Sequence, residues 1–201
     1  MLRIEISGNA DLRKALRRFA PDLEQELRKE LRAALSPVVQ KARGYVTDDS
    51  PMRGWRGRAF SEAKFPFYNP NTIRRGIGYR VTPGKVNSNG FSSMASIYNS
   101  SAAGAIYEVA GIKNPNGQPW VGTESGGASK GVSRSRNPKA GEQFIKNLPP
   151  IVSSLKGRGR LIYRAWADSR GVAEGAAMKA IDKATREFYK RAKDTTFRKV
   201  A

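Results

Sequence analysis

The sequence predicts an α+β fold in which an antiparallel sheet of about four strands packs against a long N-terminal helix and a C-terminal helix. Apolar residues recur at helical spacing in the first and last quarters of the chain. Shorter runs with alternating apolar and polar residues lie between them and favour strands. The 201 residues are enough for one hydrophobic core, so we expect a single domain over residues 1–201.

A short, half-buried strand is predicted at the start of the chain, because apolar and polar residues alternate there up to Gly8. A short helix follows, through Ala20. Residues 21–43 have the strongest helical pattern, since a proline and several acidic residues begin the segment and one apolar stripe runs along it. The stripe consists of Leu23, Leu27, Leu31, Leu35, Val38 and Ala42. We expect Pro37 to bend or break this helix near its end.

Residues 48–72 are predicted to form a long loop, because Pro, Gly and Asn recur along them. Three aromatic residues lie among basic ones in this loop: Trp55, Phe65 and Phe67. Such a mixture can stack on nucleic-acid bases or anchor the loop to the body of the protein, and we favour anchoring. Three further strands are predicted as an antiparallel meander over residues 73–82, 91–98 and 103–109. We expect the stripe of residues 27–35 to pack on the first of these strands.

The stretch from residue 113 to residue 160 differs in composition from the rest of the chain. It contains nine Lys and Arg against two Glu, which leaves nine minus two, or +7. It also holds eight Gly, five Pro and six Ser, which opposes a packed core of its own. We therefore predict an extended basic loop or arm, mobile in the isolated chain and docked through its apolar residues in an assembly. The alternative is a disordered surface loop with no role. Two helices, over residues 161–167 and 171–193, are predicted to follow.

Charge and residue types limit the classes of function. Thirty-seven Lys and Arg against seventeen Asp and Glu give a net charge of +20, which favours a polyanionic neighbour. The chain has no histidine and no cysteine, so it lacks the usual general base and the commonest metal ligands. The run Gly157-Arg158-Gly159-Arg160 lacks the spacing of a phosphate-binding loop and is interpreted as a flexible basic linker. We expect no enzymatic activity, no cofactor, no metal and no membrane segment, and synthesis in a cytoplasm.

Two short motifs separate the predicted elements. The first is the loop SPMRGW at residues 50–55, and the second is AIYEVAG at residues 105–111. This order resembles the tail-completion or neck proteins of long-tailed bacteriophages, a family related to the minor tail protein Z of phage lambda. In that family a long helix with an alanine-rich end leads to a P-x-x-T-G-x-L-like loop. An A-x-Y-E-x-G-like strand and a C-terminal helix follow.

The match to these motifs is partial. Pro51, Gly54 and Trp55 fit the loop motif, whereas an arginine stands in place of the usual threonine. Tyr107 and Glu108 fit the second motif, with one extra residue before its glycine. The resemblance covers about residues 10–112 and 160–193, and residues 113–160 are interpreted as a long insertion.

The resemblance implies a non-enzymatic structural protein of the virion, located at the head–tail junction after assembly in the host cytoplasm. It implies a homo-oligomeric ring, expected to be hexameric, through which the genome passes. The ring subunits would contact neighbouring neck and tail proteins and would touch genomic DNA without sequence specificity. Two alternatives stay open: a tail terminator or stopper of the same junction, and a free, non-specific nucleic-acid-binding protein.

Two groups of residues are the candidate sites. The residues expected to face nucleic acid are Lys130, Arg134, Arg136, Lys139, Arg158 and Arg160. The residues expected at subunit interfaces are Tyr107, Glu108, Trp120, Phe144 and Ile145. For Glu108 we expect a structural role, in which it pairs with an arginine on a neighbouring strand or subunit.

Overall fold

The fold is α+β, as predicted, and contains a small antiparallel sheet and a long C-terminal helix. The computed structural model describes residues 2–52, 55, 66–122 and 131–200, with only the backbone for residues 9 and 194–200. The elements in chain order are β1 (Leu2–Asn9), α1 (Ala10–Phe19), α2 (Pro21–Gly44), α3 (Pro70–Gly76), β2 (Ile77–Arg80), β3 (Phe91–Asn99), α4 (Ala102–Val109), α5 (Ala140–Lys146), β4 (Val152–Ser154), β5 (Gly157–Gly159) and α6 (Ile162–Val200).

The main sheet of the described chain has three strands rather than four. β3 lies in the centre and pairs antiparallel with β1 on one side and with β2 on the other. The strand predicted over residues 103–109 is wrong, because this segment is the helix α4. Ser101 caps that helix by accepting a hydrogen bond from the Gly104 backbone N–H (3.1 Å), and the alanines that follow suit a helix.

The predicted strand over residues 73–82 is right only in its second half. Its first residues belong to the short helix α3, which Asn69 caps by accepting a hydrogen bond from the Thr72 N–H (3.0 Å). A proline at the first position of α3 adds a residue whose fixed φ suits a helix start. The strand β2 begins only at Ile77, where the helix ends.

Two long helices, α2 and α6, pack against each other and cover one face of the sheet. They run antiparallel, since Tyr45 at the end of α2 donates a hydrogen bond to Asp168 near the start of α6, while Asp22 pairs with Arg191 (2.7 Å). Lys183 lies between these two contacts, paired with acidic residues of α2. α6 is one continuous helix, so the predicted interruption between residues 167 and 171 is wrong.

The apolar stripe of α2 is buried, as predicted. Leu27, Leu31 and Leu35 are each at most 1% exposed and share one core cluster with Ile77 of the sheet. The helix continues through Pro37 to Gly44, so the expected break there does not occur. Pro37 removes one backbone hydrogen bond from the helix. Burial of the apolar residues after the proline stabilises the last part of the helix on the core and offsets this loss.

The segment predicted as an extended arm contains structure of its own. Its described part includes α5 and a hairpin formed by the antiparallel pair β4 and β5. The hairpin packs against α6, and Leu148 between α5 and the hairpin is buried. Residues 113–160 contain too few apolar side chains for a core of their own. Their described elements are stabilised by packing on the rest of the same chain.

Candidate functional site

The carboxylate of Glu108 caps the N-terminus of α6. Its Oε2 accepts hydrogen bonds from the backbone N–H groups of Leu161 (3.1 Å) and Ile162 (3.0 Å), and its Oε1 accepts one from Tyr163 (3.1 Å). The first N–H groups of a helix have no partner within the helix, and the helix dipole favours a negative charge there. Glu108 is completely buried, so it performs this role inside the protein.

Arg160 lies beside this cap and is also buried. Its guanidinium donates hydrogen bonds to the carbonyl oxygens of Ala110 (2.7 Å), Tyr107 (3.2 Å) and Pro149. It therefore satisfies carbonyl groups at the end of α4 and places a positive charge near Glu108. Burial raises the pKa of Glu108, while the three backbone N–H groups and Arg160 act in the opposite direction.

The residues of the Gly157-Arg158-Gly159-Arg160 run are part of this arrangement and do not form a flexible linker. Gly157 and Gly159 begin and end β5, and a side chain at either position would collide with its surroundings. A β-carbon at residue 157 would lie 2.5 Å from the ring of Tyr163, and φ at this glycine is +149°. The linker interpretation was wrong because the glycines serve close packing.

An aromatic cluster joins the long loop to α4 and α5. The indole ring of Trp55 lies 5.0 Å from the ring of Tyr68, 6.5 Å from that of Tyr107 and 5.1 Å from that of Phe144, measured between centroids. Trp55 is completely buried, and its indole N–H donates to the Pro66 carbonyl oxygen (2.8 Å). The predicted anchoring is thus confirmed for Trp55, whereas Phe65 lies outside the described residues.

Two of the predicted interface residues prove to be interior. Tyr107 and Glu108 are both 0% exposed in their own chain, so neither is available to a neighbouring subunit. Glu108 also takes backbone N–H groups of α6 as its hydrogen-bond partners, in place of the expected arginine pair. The prediction treated residues 103–109 as a strand of the meander, and their helical conformation turns both side chains inward.

The remaining predicted interface residues have different positions. Phe144 and Ile145 are half-buried against the core of their own chain, Phe144 by its contact with Trp55. Trp120 is 46% exposed, and its indole N–H donates to the Ser135 carbonyl oxygen (2.8 Å). Of this group, Trp120 keeps the largest exposed apolar surface for a partner.

The predicted nucleic-acid-facing residues do not form one surface. Arg160 is 3% exposed and bound to three carbonyl groups, so its assignment to nucleic acid is wrong. Arg136, Lys139 and Arg158 are exposed and Arg134 is half-buried. Lys130 lies outside the described residues. The partners that bury an arginine are distant in sequence. The residues next to an arginine therefore do not show whether it is buried or solvated.

Several further observations bear on chemistry. Within the described ranges, no three Asp and Glu side chains come together in a group that could hold a metal ion. Among the helices of the described chain, none combines the length and apolar character needed to cross a membrane. Comparison of the chain with protein-family models, curated proteins and solved structures gave no match.

Proposed function

We propose that this chain is a structural subunit of the head–tail junction of a long-tailed bacteriophage, forming part of a ring through which the genome passes. One observation carries the proposal: the two motifs of the resemblance contact each other in the core. Trp55 of the SPMRGW loop and Tyr107 of the AIYEVAG segment have nearly parallel rings, with an interplanar angle of 20° and centroids 6.5 Å apart. Residues 52 positions apart in sequence (107 minus 55) therefore form one packed unit.

The second motif also holds the C-terminal helix, which is the next feature of the resemblance. Glu108 follows Tyr107 directly and caps α6 through three backbone hydrogen bonds. The loop, α4 and α6 are thus fixed relative to one another by adjacent residues. A ring subunit needs such rigidity, because its contact surfaces must keep the same relative positions in every copy.

The charge of the chain supports contact with DNA, and its buried carboxylates support a structural role. A net charge of +20 attracts phosphates without any sequence-specific contact. Both buried glutamates of the described chain already have partners, Glu108 in the helix cap and Glu24 in an ion pair with Arg13 (3.3 Å). A general acid or base must lie within hydrogen-bond reach of its substrate, and burial keeps both of these carboxylates away from one.

The proposal is tested by interrupting the gene in the phage that encodes this chain. We expect DNA-filled heads and complete tails to accumulate separately, and purified protein added to the lysate to restore infectious particles. An unrelated protein of equal size and net charge is the control and should restore none. Normal joined virions in the interrupted strain would contradict the proposal.

The same experiment separates the alternatives at this junction. Loss of a stopper would leave heads that release their DNA, and loss of a tail terminator would leave tails of irregular length. A free nucleic-acid-binding protein would instead affect DNA packaging or stability before heads and tails are joined.

A further inference from the structure

One face of the three-stranded sheet is not covered by any helix of the described residues. Ile4, Ile77 and Ile97 point to the core on the covered side, whereas their neighbours along the strands point the other way. The uncovered face has a shallow groove of about 50 Å³, and the residues used below that line it are Arg3, Glu5, Arg80, Ser93, Ser96 and Tyr98. Apolar side chains are scarce in this lining, so the face does not resemble an unfilled part of the core.

A β-bulge gives the groove its polar floor. The pairing of β1 with β3 shifts between Ile6 and Ser7, so that Ile6 lies opposite Ala95 while Ser7 lies opposite Ser93. Met94 is the extra residue at the shift and is completely buried. Without the bulge, regular alternation would put Met94 on the uncovered face and Ser93 in the core.

Two arginines come from the strands on either side of Tyr98 on this face. Arg3 is the direct pairing partner of Tyr98 across β1 and β3. Arg80 comes from the opposite edge strand, and its guanidinium carbon lies 5.9 Å from the centroid of the Tyr98 ring. Stacking of this kind orients the planar guanidinium while leaving its N–H groups available for an anion.

The single acidic side chain of the groove neutralises only one of these charges. Glu5 pairs with Arg3, with 3.0 Å between Oε1 and Nε. Arg80 has no carboxylate partner among the residues that the structure describes. The groove therefore keeps one uncompensated guanidinium, next to the hydroxyl groups of Ser96 and Tyr98. The hydroxyl of Ser93 already donates a hydrogen bond to the Ala95 carbonyl oxygen (3.3 Å).

We propose that the uncovered face of the sheet binds phosphodiester groups of duplex DNA, with Arg3 and Arg80 as the charged ligands and the hydroxyls of Ser96 and Tyr98 as further donors. Arginine and hydroxyl side chains are the groups that most often hydrogen-bond DNA phosphates. The small residues of the floor let a phosphate approach the sheet closely. Since none of these contacts reads a base edge, the binding is independent of sequence.

This inference goes beyond the head–tail proposal and does not depend on it. It concerns a surface of the isolated chain, and the gene-interruption experiment neither requires nor tests it. An acidic protein surface is the competing occupant, because carboxylates would also pair with the two arginines. We favour phosphate because it offers more acceptor oxygens than a single carboxylate for the two guanidinium groups and the hydroxyls of Ser96 and Tyr98.

The test measures binding of a labelled 30-base-pair duplex to the purified full chain by fluorescence anisotropy between 50 and 200 mM salt. The wild type is expected to bind with a dissociation constant of about 10⁻⁴ to 10⁻⁶ M. The double variant Arg3→Gln/Arg80→Gln should reduce the slope of log K against log salt by about 1.8, or about 0.9 for each lost phosphate contact. The charge-matched control Lys179→Gln/Arg186→Gln changes two exposed residues of α6 and should leave the slope nearly unchanged.

Three results would overturn the inference. Equal changes of slope in both double variants would show that only net charge matters. Displacement of the duplex by polyglutamate as efficiently as by unlabelled DNA would show that the face prefers carboxylates. Hydrogen exchange tests the same surface in the wild type, without a variant. Bound DNA should slow amide exchange in residues 77–84 and 91–98. Unchanged exchange in these residues would also contradict the proposal.

Discussion

Gly159 packs directly on the carboxylate of Glu108. A β-carbon at residue 159 would lie only 2.1 Å from Glu108 Oε1, much closer than any real contact. The hairpin that ends at Gly159 and the helix cap made by Glu108 therefore occupy the same small space. Arg160 follows Gly159 in the chain and binds carbonyl groups of α4. The hairpin, the start of α6 and the end of α4 therefore all depend on the packing at Gly159.

Replacement of Gly159 by alanine should destabilise the protein by about 1–3 kcal/mol, because the added methyl group must displace the capping carboxylate. The measurement is the free energy of unfolding from urea titration. Gly175→Ala is the matched control, since nothing lies within 4 Å of a β-carbon there and the residue is inside α6. The control should gain about 0.5–1 kcal/mol from its better helix propensity. Equal effects at both positions would contradict the close packing at residue 159.

Glu108→Gln tests the helix cap with almost no change of shape. The amide group keeps one acceptor oxygen but turns donor hydrogens toward backbone N–H groups, so buried donors lose their partner. We expect a loss of about 2–4 kcal/mol in the free energy of unfolding. Glu142→Gln removes an exposed carboxylate that pairs with Lys146 (2.7 Å) and should have little effect. A Glu108→Gln protein as stable as this control would show that the cap contributes little.

Leu31→Ala tests the packing of α2 on the sheet. Leu31 is 0% exposed, and truncation of such a leucine costs about 2–5 kcal/mol. Leu155→Ala, at the turn of the β4–β5 hairpin, changes a side chain that is 77% exposed and should stay within about 0.5 kcal/mol of the wild type. A loss below about 0.5 kcal/mol for Leu31→Ala would mean that the stripe is not the core of the fold.

Hydrogen exchange tests the predicted arm. Since α5 and the β4–β5 hairpin pack on their own chain, their amides should exchange slowly in the isolated protein. Protection of residues 113–122, which include the exposed Trp120, should increase on assembly. Fast exchange across α5 and the hairpin in the isolated chain would contradict the packing of these elements. Equal exchange of residues 113–122 in both states would contradict docking of this part of the arm.

The elements predicted correctly are those whose signal is local. In α2 and β1, the spacing of the apolar residues along the sequence is enough to predict the type of element and its buried face. The segment of α4 was assigned the wrong structure because apolar residues fill nearly all of its eight positions, which fits a short strand as well as a helix. Its helical start depends on Ser101, whose side chain caps the first turn and lies outside the apolar pattern.

The site could be predicted only in part, because its partners are distant in sequence. Glu108 was singled out from the resemblance, yet its partners are backbone groups more than 50 residues later. Arg13 and Arg160 look like solvated basic residues in sequence. In the structure both are buried and donate hydrogen bonds to carbonyl groups of other elements. The bulge at Met94 likewise follows from packing of the whole sheet.

The most direct test of the central proposal is the location and copy number of this chain in purified virions. Quantitative mass spectrometry should find a fixed number of copies per particle, with six expected for the hexameric ring. Gold labelling of a tagged chain, viewed by electron microscopy, should place every label at the joint between head and tail. Absence of the chain from infectious virions, or labels spread along the tail or over the head, would contradict the proposal.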